Sequence, residues 1–448
     1  MLCNRPAPSL NILVYSPIFG GSHSKFMGNI ADTLTEAGHN VTFLVPVADV
    51  TRRHEVGVKL TKNVMICFTF FLEMMRTNCD DFTSNKKVFK ELSKTKFDVA
   101  IAEPVSICGL GVVRNSGEPI DMSYVPVHGA YFDEKMSIFE RYTNWAAEHV
   151  MAGNLEKMFD EEMEKYRKNL GVDVADWRVL IPEASVFFTN ANQYIDFPRP
   201  VIQKTVGIGG ITVDMKKIKS EKLPEEIGKI LDKRDHNMLI SFGSMYEEEN
   251  ATFDMPDEFK KSFLEVFASM PDVTFIWKYE SDDLKWAEGT ENLYFLKWVP
   301  QTALLADTRL SGFLTHGGLG STNELAYLGK PAIIVPIFGD QGRNGPMLAR
   351  HGGAIVLNKM DLENSEVIAD LMWKIVFDRS PFSPKELVIK HTEFVGKFGP
   401  LTQMDPYIRQ LNWFQRTFAD VYILMFVFYS VVLIVPLLVV RKIYRLIF

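Results

Sequence analysis

Cysteine is scarce in this 448-residue chain: Cys3, Cys67, Cys79 and Cys108 are the four present, with no Cys-x-x-Cys pair and no metal-ligand spacing. They offer no metal site, and they neither require nor exclude an oxidising compartment. An excess of positive charge is also missing. Lys and Arg number 49 against 56 Asp and Glu, the net charge is −7, and no basic face is clustered, which argues against a nucleic-acid surface. Internal repeats and low-complexity segments are absent. What remains, 47% hydrophobic and 23% charged residues, is globular with some membrane-like enrichment, and the length allows two or three domains.

Long apolar runs are confined to one place. Val421 to Val440, VYILMFVFYSVVLIVPLLVV, carries no charge over twenty residues, enough for a helix to cross a bilayer. Pro436 within it is a kink that membrane helices tolerate. Arg441, Lys442 and Arg445 follow at once, so the charge rule predicts a cytoplasmic tail at 441–448 and a body on the far side. A body there expects a signal peptide, yet MLCNRPAPS has no apolar core region and Asn11 to Ser16 already reads as a strand. The reading adopted is a single-pass protein of the endoplasmic reticulum membrane with a lumenal body, its signal peptide missing from this chain. Asn40-Val41-Thr42 and Asn250-Ala251-Thr252 are glycosylation sequons that fit that side, making Asn40 and Asn250 candidate glycoprotein sites.

Strands and helices alternate along the body. Asn11 to Pro17 reads as a buried strand, then comes Phe19-Gly20-Gly21-Ser22-His23, then a helix with Phe26, Ile30 and Leu34 at helical spacing. Val41 to Val47 closes a βαβ unit, and Phe97 to Ala102 is a strand ending at Glu103. Tyr124 to His128 reads as a short strand, Ser137 to Leu170 as helix, and Ala184 to Asn190 and Val206 to Ile211 as further strands. The Lys- and Glu-rich stretch around Pro224 reads as a linker. Beyond it strands are expected at Asn237 to Phe242, Val273 to Tyr279, Asn292 to Trp298, Gly312 to Thr315, Pro331 to Ile337 and Ala354 to Leu357. That alternation predicts a parallel, doubly wound sheet. Phe259, Phe263 and Phe267, four apart, mark a core-facing helix stripe.

The most informative stretch is Trp298 to Gln341. At its centre an apolar strand runs into His316-Gly317-Gly318-Leu319-Gly320 and then a Ser-Thr pair opening a helix. Glycines allow close backbone approach, and first-turn N–H groups with the positive helix end face an anion such as phosphate. Ser321 is expected as the N-cap, with Glu324 completing a capping box. A second strand then delivers Asp340-Gln341 to the same sheet edge, where ligands of open α/β sheets collect.

Trp-x-Pro-Gln, His-x-Gly, Gly-Ser-x-x-Glu and Asp-Gln, in this order from Trp298 to Gln341, resemble the donor signature of the UDP-glycosyltransferases, which include the UDP-glucuronosyltransferases. The resemblance is dense from about Asn237 to Gly353 and good around Asn11 to Val47, while the first half is shorter than usual for the family. It implies the GT-B architecture, two facing Rossmann-like domains, here with a C-terminal transmembrane helix. Boundaries follow: an acceptor-binding domain at 1–212, a linker at 213–236, a UDP-sugar-binding domain at 237–384, a helical segment at 385–418, the span at 419–440 and the tail.

Residue by residue, the resemblance makes His23 the base that activates an acceptor hydroxyl, a task suited to an imidazole. Glu103 stands where the family commonly has an aspartate, to fix the tautomer of His23. His316, Gly318 and Ser321 match groups facing the diphosphate; Ser241 and Ser244 suit further phosphate contacts or a plain turn. Glu324 matches the acid accepting both ribose hydroxyls. Trp298 offers a face to uracil, or a core indole, and Gln301 an amide to the ring edge or ribose. Asp340 and Gln341 match the pair that binds sugar hydroxyls. With no Asp-x-Asp motif, no metal and no other cofactor is expected. The expected reaction is inverting transfer of glucose or glucuronic acid to small lipophilic acceptors, with a homo-oligomer left open. The rivals are a UDP-sugar binder without turnover and a nicotinamide oxidoreductase. The second is disfavoured because the first glycine loop lacks Gly-x-Gly-x-x-Gly and no acid ends the second strand.

Overall fold

Asn11–Tyr15 forms the first strand (β1), its side chains alternately buried and half-buried. The computed structural model describes residues 9–16, 21–47, 57–68, 84–103, 121–170, 175–192, 194–243, 255–377 and 411–447. Helix α1 (Gly21–Glu36) follows, then β2 (Asn40–Val47), β3 (Asn63–Phe68), α2 (Lys86–Leu92) and β4 (Val99–Ala102). The order in the sheet is β3-β2-β1-β4, all parallel. The predicted stripe packs as expected: Ile30 is buried, with Phe26 and Leu34 partly so, against Val14 and Phe43 of the sheet. Tyr15 pairs with Ala102, so Ser16 and Glu103 emerge side by side past the strand ends.

No strand forms at Tyr124 to His128, contrary to expectation. The backbone turns there instead, because Asn144 replaces a strand partner: its side chain accepts from Val127 N at 2.8 Å and donates to Met122 O at 2.9 Å and Val125 O at 2.8 Å. Asn144 belongs to the long helix α3 (Ile138–Leu170), which α4 (Trp177–Glu183) follows. Among the described residues, strands β5 (Phe187–Thr189) and β6 (Thr205–Gly207) pair only with each other, and both are shorter than the runs read from sequence. The stretch read as a linker is helical and packed. Its helices α5 (Met215–Ser220) and α6 (Glu225–Leu231) bury Ile218, Ile227 and Leu231 in the second core, so its charge run is the solvated side of two short amphipathic helices.

The second sheet runs through β7 (His236–Ser241), α7 (Asp257–Ser269), β8 (Val273–Lys278), β9 (Leu293–Leu296), α8 (Gln301–Ala306), β10 (Leu310–Thr315), α9 (Leu319–Leu328), β11 (Ala332–Ile334), α10 (Gln341–Ala349), β12 (Ala354–Val356) and α11 (Ser365–Phe377). Its order is β12-β11-β10-β7-β8-β9, all parallel, reversing direction between β7 and β10. Met238, Ile240, Phe275 and Trp277 pack on one face, and Leu239, Ile276 and Phe313 on the other. Burial on both faces explains why these strands read as continuous apolar runs. Phe263 and Phe267 are fully buried, with the Phe263 ring 4.9 Å from that of Trp277. The strand expected over Pro331 to Ile337 ends at Ile334, which frees the following residues for a loop.

Two helices close the chain, α12 (Trp413–Arg416) and α13 (Ala419–Ile447). Within α13, Ala419–Val439 is long and apolar enough to cross a membrane, and only 6% of it is buried. Its first turn meets α3: buried Arg141 contacts Asp420, and the rings of Trp145 and Tyr422 meet edge-on at 6.5 Å.

Candidate active site

Both sheets place their chemistry where the strand order reverses. At the first reversal, between β1 and β4, Glu103 is 6% exposed and serves two partners. One oxygen meets His23 Nδ1; the other accepts from Ser16 Oγ at 2.9 Å. Because Glu103 is acceptor-only when ionised, the pairing puts the imidazole proton on Nδ1 and makes Nε2 the acceptor nitrogen of the ring. His23 is the third residue of α1 and its side chain is 42% exposed, so a solute can reach it. The extra methylene of Glu103 relative to aspartate is taken up by a carboxylate that spans both neighbours.

At the second reversal, β7 ends in buried Ser241 and β10 in Thr315, paired in register, with His316 directly after. Glycines on both sides enclose the His316 ring. A Cβ on Gly318 would sit 2.7 Å from its Nε2, and one on Gly243, where φ is +91°, 2.9 Å from its Cε1. Burial pushes the imidazole down to about 4, against opposing pulls from Asp340 and from the Ser241 backbone. His316 is therefore neutral at pH 7, with the single N–H of a neutral imidazole drawn to the Ser241 backbone.

The predicted capping box is not formed. Helix α9 begins at Leu319, so Ser321 is its third residue; Gly318 is the N-cap, and no side chain caps the turn. The ladder starts early because Gly318 O already accepts from Thr322 N at 3.0 Å and Thr322 Oγ1 at 3.1 Å. Uncapped first-turn N–H groups suit an anion better than the expected arrangement would. Released from capping, buried Glu324 accepts from Gln301 Nε2 at 2.6 Å, and the same amide donates to Ser321 Oγ at 3.0 Å. Gln301, Ser321 and Glu324, assigned separately from sequence, thus form one cluster.

Asp340 is the N-cap residue of α10 and accepts from Asn344 Nδ2 at 2.8 Å; that amide also donates to Gly317 O at 3.1 Å, joining the acid to the glycine loop. Gln341 is 4% exposed, and its carbonyl accepts from Ile337 N at 2.8 Å and Phe338 N at 3.1 Å, which shapes the loop. That carbonyl is spent on the backbone. Trp298 is 75% exposed, which decides against a core indole, and Lys278 Nζ lies 5.4 Å from its ring centroid. Ser244 and Asn250 lie outside the described residues. Asn40 is exposed at the start of β2, but Thr42 of its sequon is 3% exposed and accepts from Asn63 Nδ2 at 2.7 Å.

The two halves meet around these groups. Lys25 Nζ of α1 lies 3.4 Å from Glu324 Oε1 across the cleft. Arg343 Nη2 is 2.6 Å from Asp196 Oδ1, and its Nε donates to Pro126 O at 3.1 Å. Arg350 Nη2 is 2.9 Å from Glu134 Oε1. The Phe197 ring centroid lies 5.2 Å from the Arg343 guanidinium and 5.3 Å from that of Arg350. Lys25, two residues after His23, therefore ties the start of α1 to the His316–Glu324 turn. Sequence reasoning missed Lys25, Asn344 and His128. Asn344, four residues after Asp340 on a helix, had a legible signal. His128 comes from the turn where a strand was expected; burial pushes its pKa down, with Asp340 opposing and Arg343 reinforcing. A separate cavity of about 540 Å³ beneath α5 and α6, lined among others by Met215, Leu223 and Arg309, shares none of these residues.

A family profile described as "UDP-glucoronosyl and UDP-glucosyl transferase" matches residues 111–448, leaving His23 and Glu103 outside it. The chain is 25% identical to UDP-glucosyltransferase 2 of Dactylopius coccus, over 92% of its own length and 88% of that protein's. It is 28% identical to a UDP-glucuronosyltransferase of Pleuronectes platessa, over 79% and 80% of the two lengths. Among solved structures, a UDP-glucose:anthocyanidin 3-O-glucosyltransferase in complex with UDP shares the fold with a TM-score of 0.57 at 14% identity, covering 88% of this chain and 96% of that one. The glycosyltransferase of kitacinnamycin gives 0.55 at 17% identity, covering 91% of this chain and all of that one.

Proposed function

Since the chain belongs to the UDP-glucuronosyl and UDP-glucosyl transferase family and is a glycosyltransferase of GT-B fold, we propose that it moves glucose or glucuronic acid from the UDP-sugar to a hydroxyl of a small lipophilic acceptor, inverting the anomeric centre. The observation that carries this reading is the His23–Glu103 pair at the start of a helix whose Lys25 reaches Glu324 of the His316–Glu324 turn.

His23 Nε2 takes the proton of the acceptor hydroxyl as its oxygen attacks the anomeric carbon, while the bond from that carbon to the diphosphate oxygen breaks. Glu103 stabilises the resulting imidazolium, and UDP leaves on the opposite side, so the configuration inverts. Charge growing on the diphosphate meets the uncapped N–H groups of α9 and the Ser321 hydroxyl, preorganised donors beside the neutral His316 ring that supply the stabilisation without a metal. Trp298 stacks on uracil, Glu324 takes the ribose hydroxyls, and Asp340 with Gln341 takes the sugar hydroxyls.

The basic residues after the apolar helix support a lumenal body on the endoplasmic reticulum membrane. Membranes carrying the chain, given UDP-glucose or UDP-glucuronic acid with mixed phenols, should yield products heavier by one sugar. UDP binding with no product from either donor would favour a binder without turnover.

A further inference from the structure

Lys25 stands two residues after His23, so the start of α1 reaches both sides of the cleft. His23 turns to Glu103 in its own half, while Lys25 turns to Glu324 in the other. The partners are unlike: the Glu324 side chain is 4% exposed, the Lys25 side chain 56%. Glu324 has two oxygens, and Gln301 holds one of them at 2.6 Å. Ribose hydroxyls arriving at Glu324 must therefore take the oxygen that Lys25 holds at the longer distance of 3.4 Å. The weaker and more mobile contact yields, because an exposed ammonium on a four-carbon stem moves at little cost.

Where the ammonium goes is set by its surroundings. The Lys59 ammonium is held below the usual lysine range chiefly by contact with that of Lys217, with Lys25 adding to it. The ammoniums of Lys217 on α5 and Lys25 on α1 thus both act on that of Lys59, opposed by Asp32, whose carboxylate accepts from Lys59 N at 2.6 Å. Displacing Lys25 from the Glu324 carboxylate returns it to this positive group, and the donor's diphosphate, adjacent to its ribose, is the negative charge that arrives with the nucleotide.

We propose that Lys25 is a cross-cleft positioning residue: it holds Glu324 until the nucleotide arrives and then passes to the diphosphate. Donor binding then draws in the helix that carries His23, so the base is set over the sugar only once the donor is seated. This rests on Glu324 and its turn forming the donor site.

The test compares UDP and uridine binding to the full-length protein in lipid nanodiscs, for wild type, Lys25→Met and Lys25→Arg. Lys25→Met should weaken UDP about tenfold, the worth of one exposed charge-assisted hydrogen bond, and Lys25→Arg should restore most of it. Uridine, which has ribose but no phosphate, should bind Lys25→Met at least as tightly as wild type, because its competitor for Glu324 is gone. Equal weakening of both ligands, or of neither, overturns the inference and leaves the donor site standing. If wild type itself binds neither UDP nor uridine, the donor reading fails and takes this inference with it.

Discussion

His23 and Glu103, eighty residues apart in the chain, meet because β1 and β4 are neighbours in the first sheet and end level with one another. Ser16 closes the arrangement from the end of β1, so the carboxylate is fixed on both oxygens. If the pair acts as base and orienting acid, His23→Ala lowers kcat by at least about hundredfold and leaves UDP affinity unchanged. Glu103→Gln keeps the hydrogen bonds but loses the charge and the tautomer control, and should cost a similar factor. Steady-state kinetics with a separate UDP titration check both. A large loss of UDP binding in either variant would point to a structural role instead.

His316 gives a pH signature. Its folded pKa is about 4, below the ordinary value of 6.5, so the unfolded chain binds a proton there that the folded chain refuses. The sign follows: between about 6.5 and 4 stability falls as pH falls, and above 6.5 the contribution is complete. His316→Gln cannot titrate. The stability gap between wild type and variant should therefore shrink across that window by up to about 3 kcal/mol. Urea denaturation at several pH values reads it, and a constant gap would refute neutral burial of this ring.

Gly243 turns with φ at +91° directly against the His316 ring. Gly243→Ala adds both backbone strain, about 1–3 kcal/mol, and a methyl group where the imidazole sits. UDP affinity should fall by at least about tenfold as His316 is displaced. Calorimetry alongside circular dichroism would show a folded protein with a crippled site; unchanged UDP binding would remove His316 from the diphosphate site.

Trp298, at 75% exposure, contributes little to the core. Trp298→Ala should leave the thermal midpoint where it is and weaken uridine by about tenfold, the worth of one base stacked on an aromatic ring. Loss of stability without loss of uridine would reverse the assignment.

The amino-acid sequence by itself determined the parallel sheets, the phenylalanine stripe, the glycine turn after β10 and the apolar terminal helix. Each is written in local periodicity or in residues with narrow backbone preferences, and neither depends on what packs nearby. Tertiary structure decided what depends on distant partners. Asn144 satisfies the backbone where a strand was expected at 124–128, and the apolar residues of the charged stretch at 213–236 find a core to enter. Glu324 leaves a local cap for Gln301 and Lys25, the second of which lies 299 positions earlier. A side chain's choice among hydrogen-bond partners is settled by which groups folding brings within about 3 Å, and sequence spacing carries that information only inside a single helix or turn.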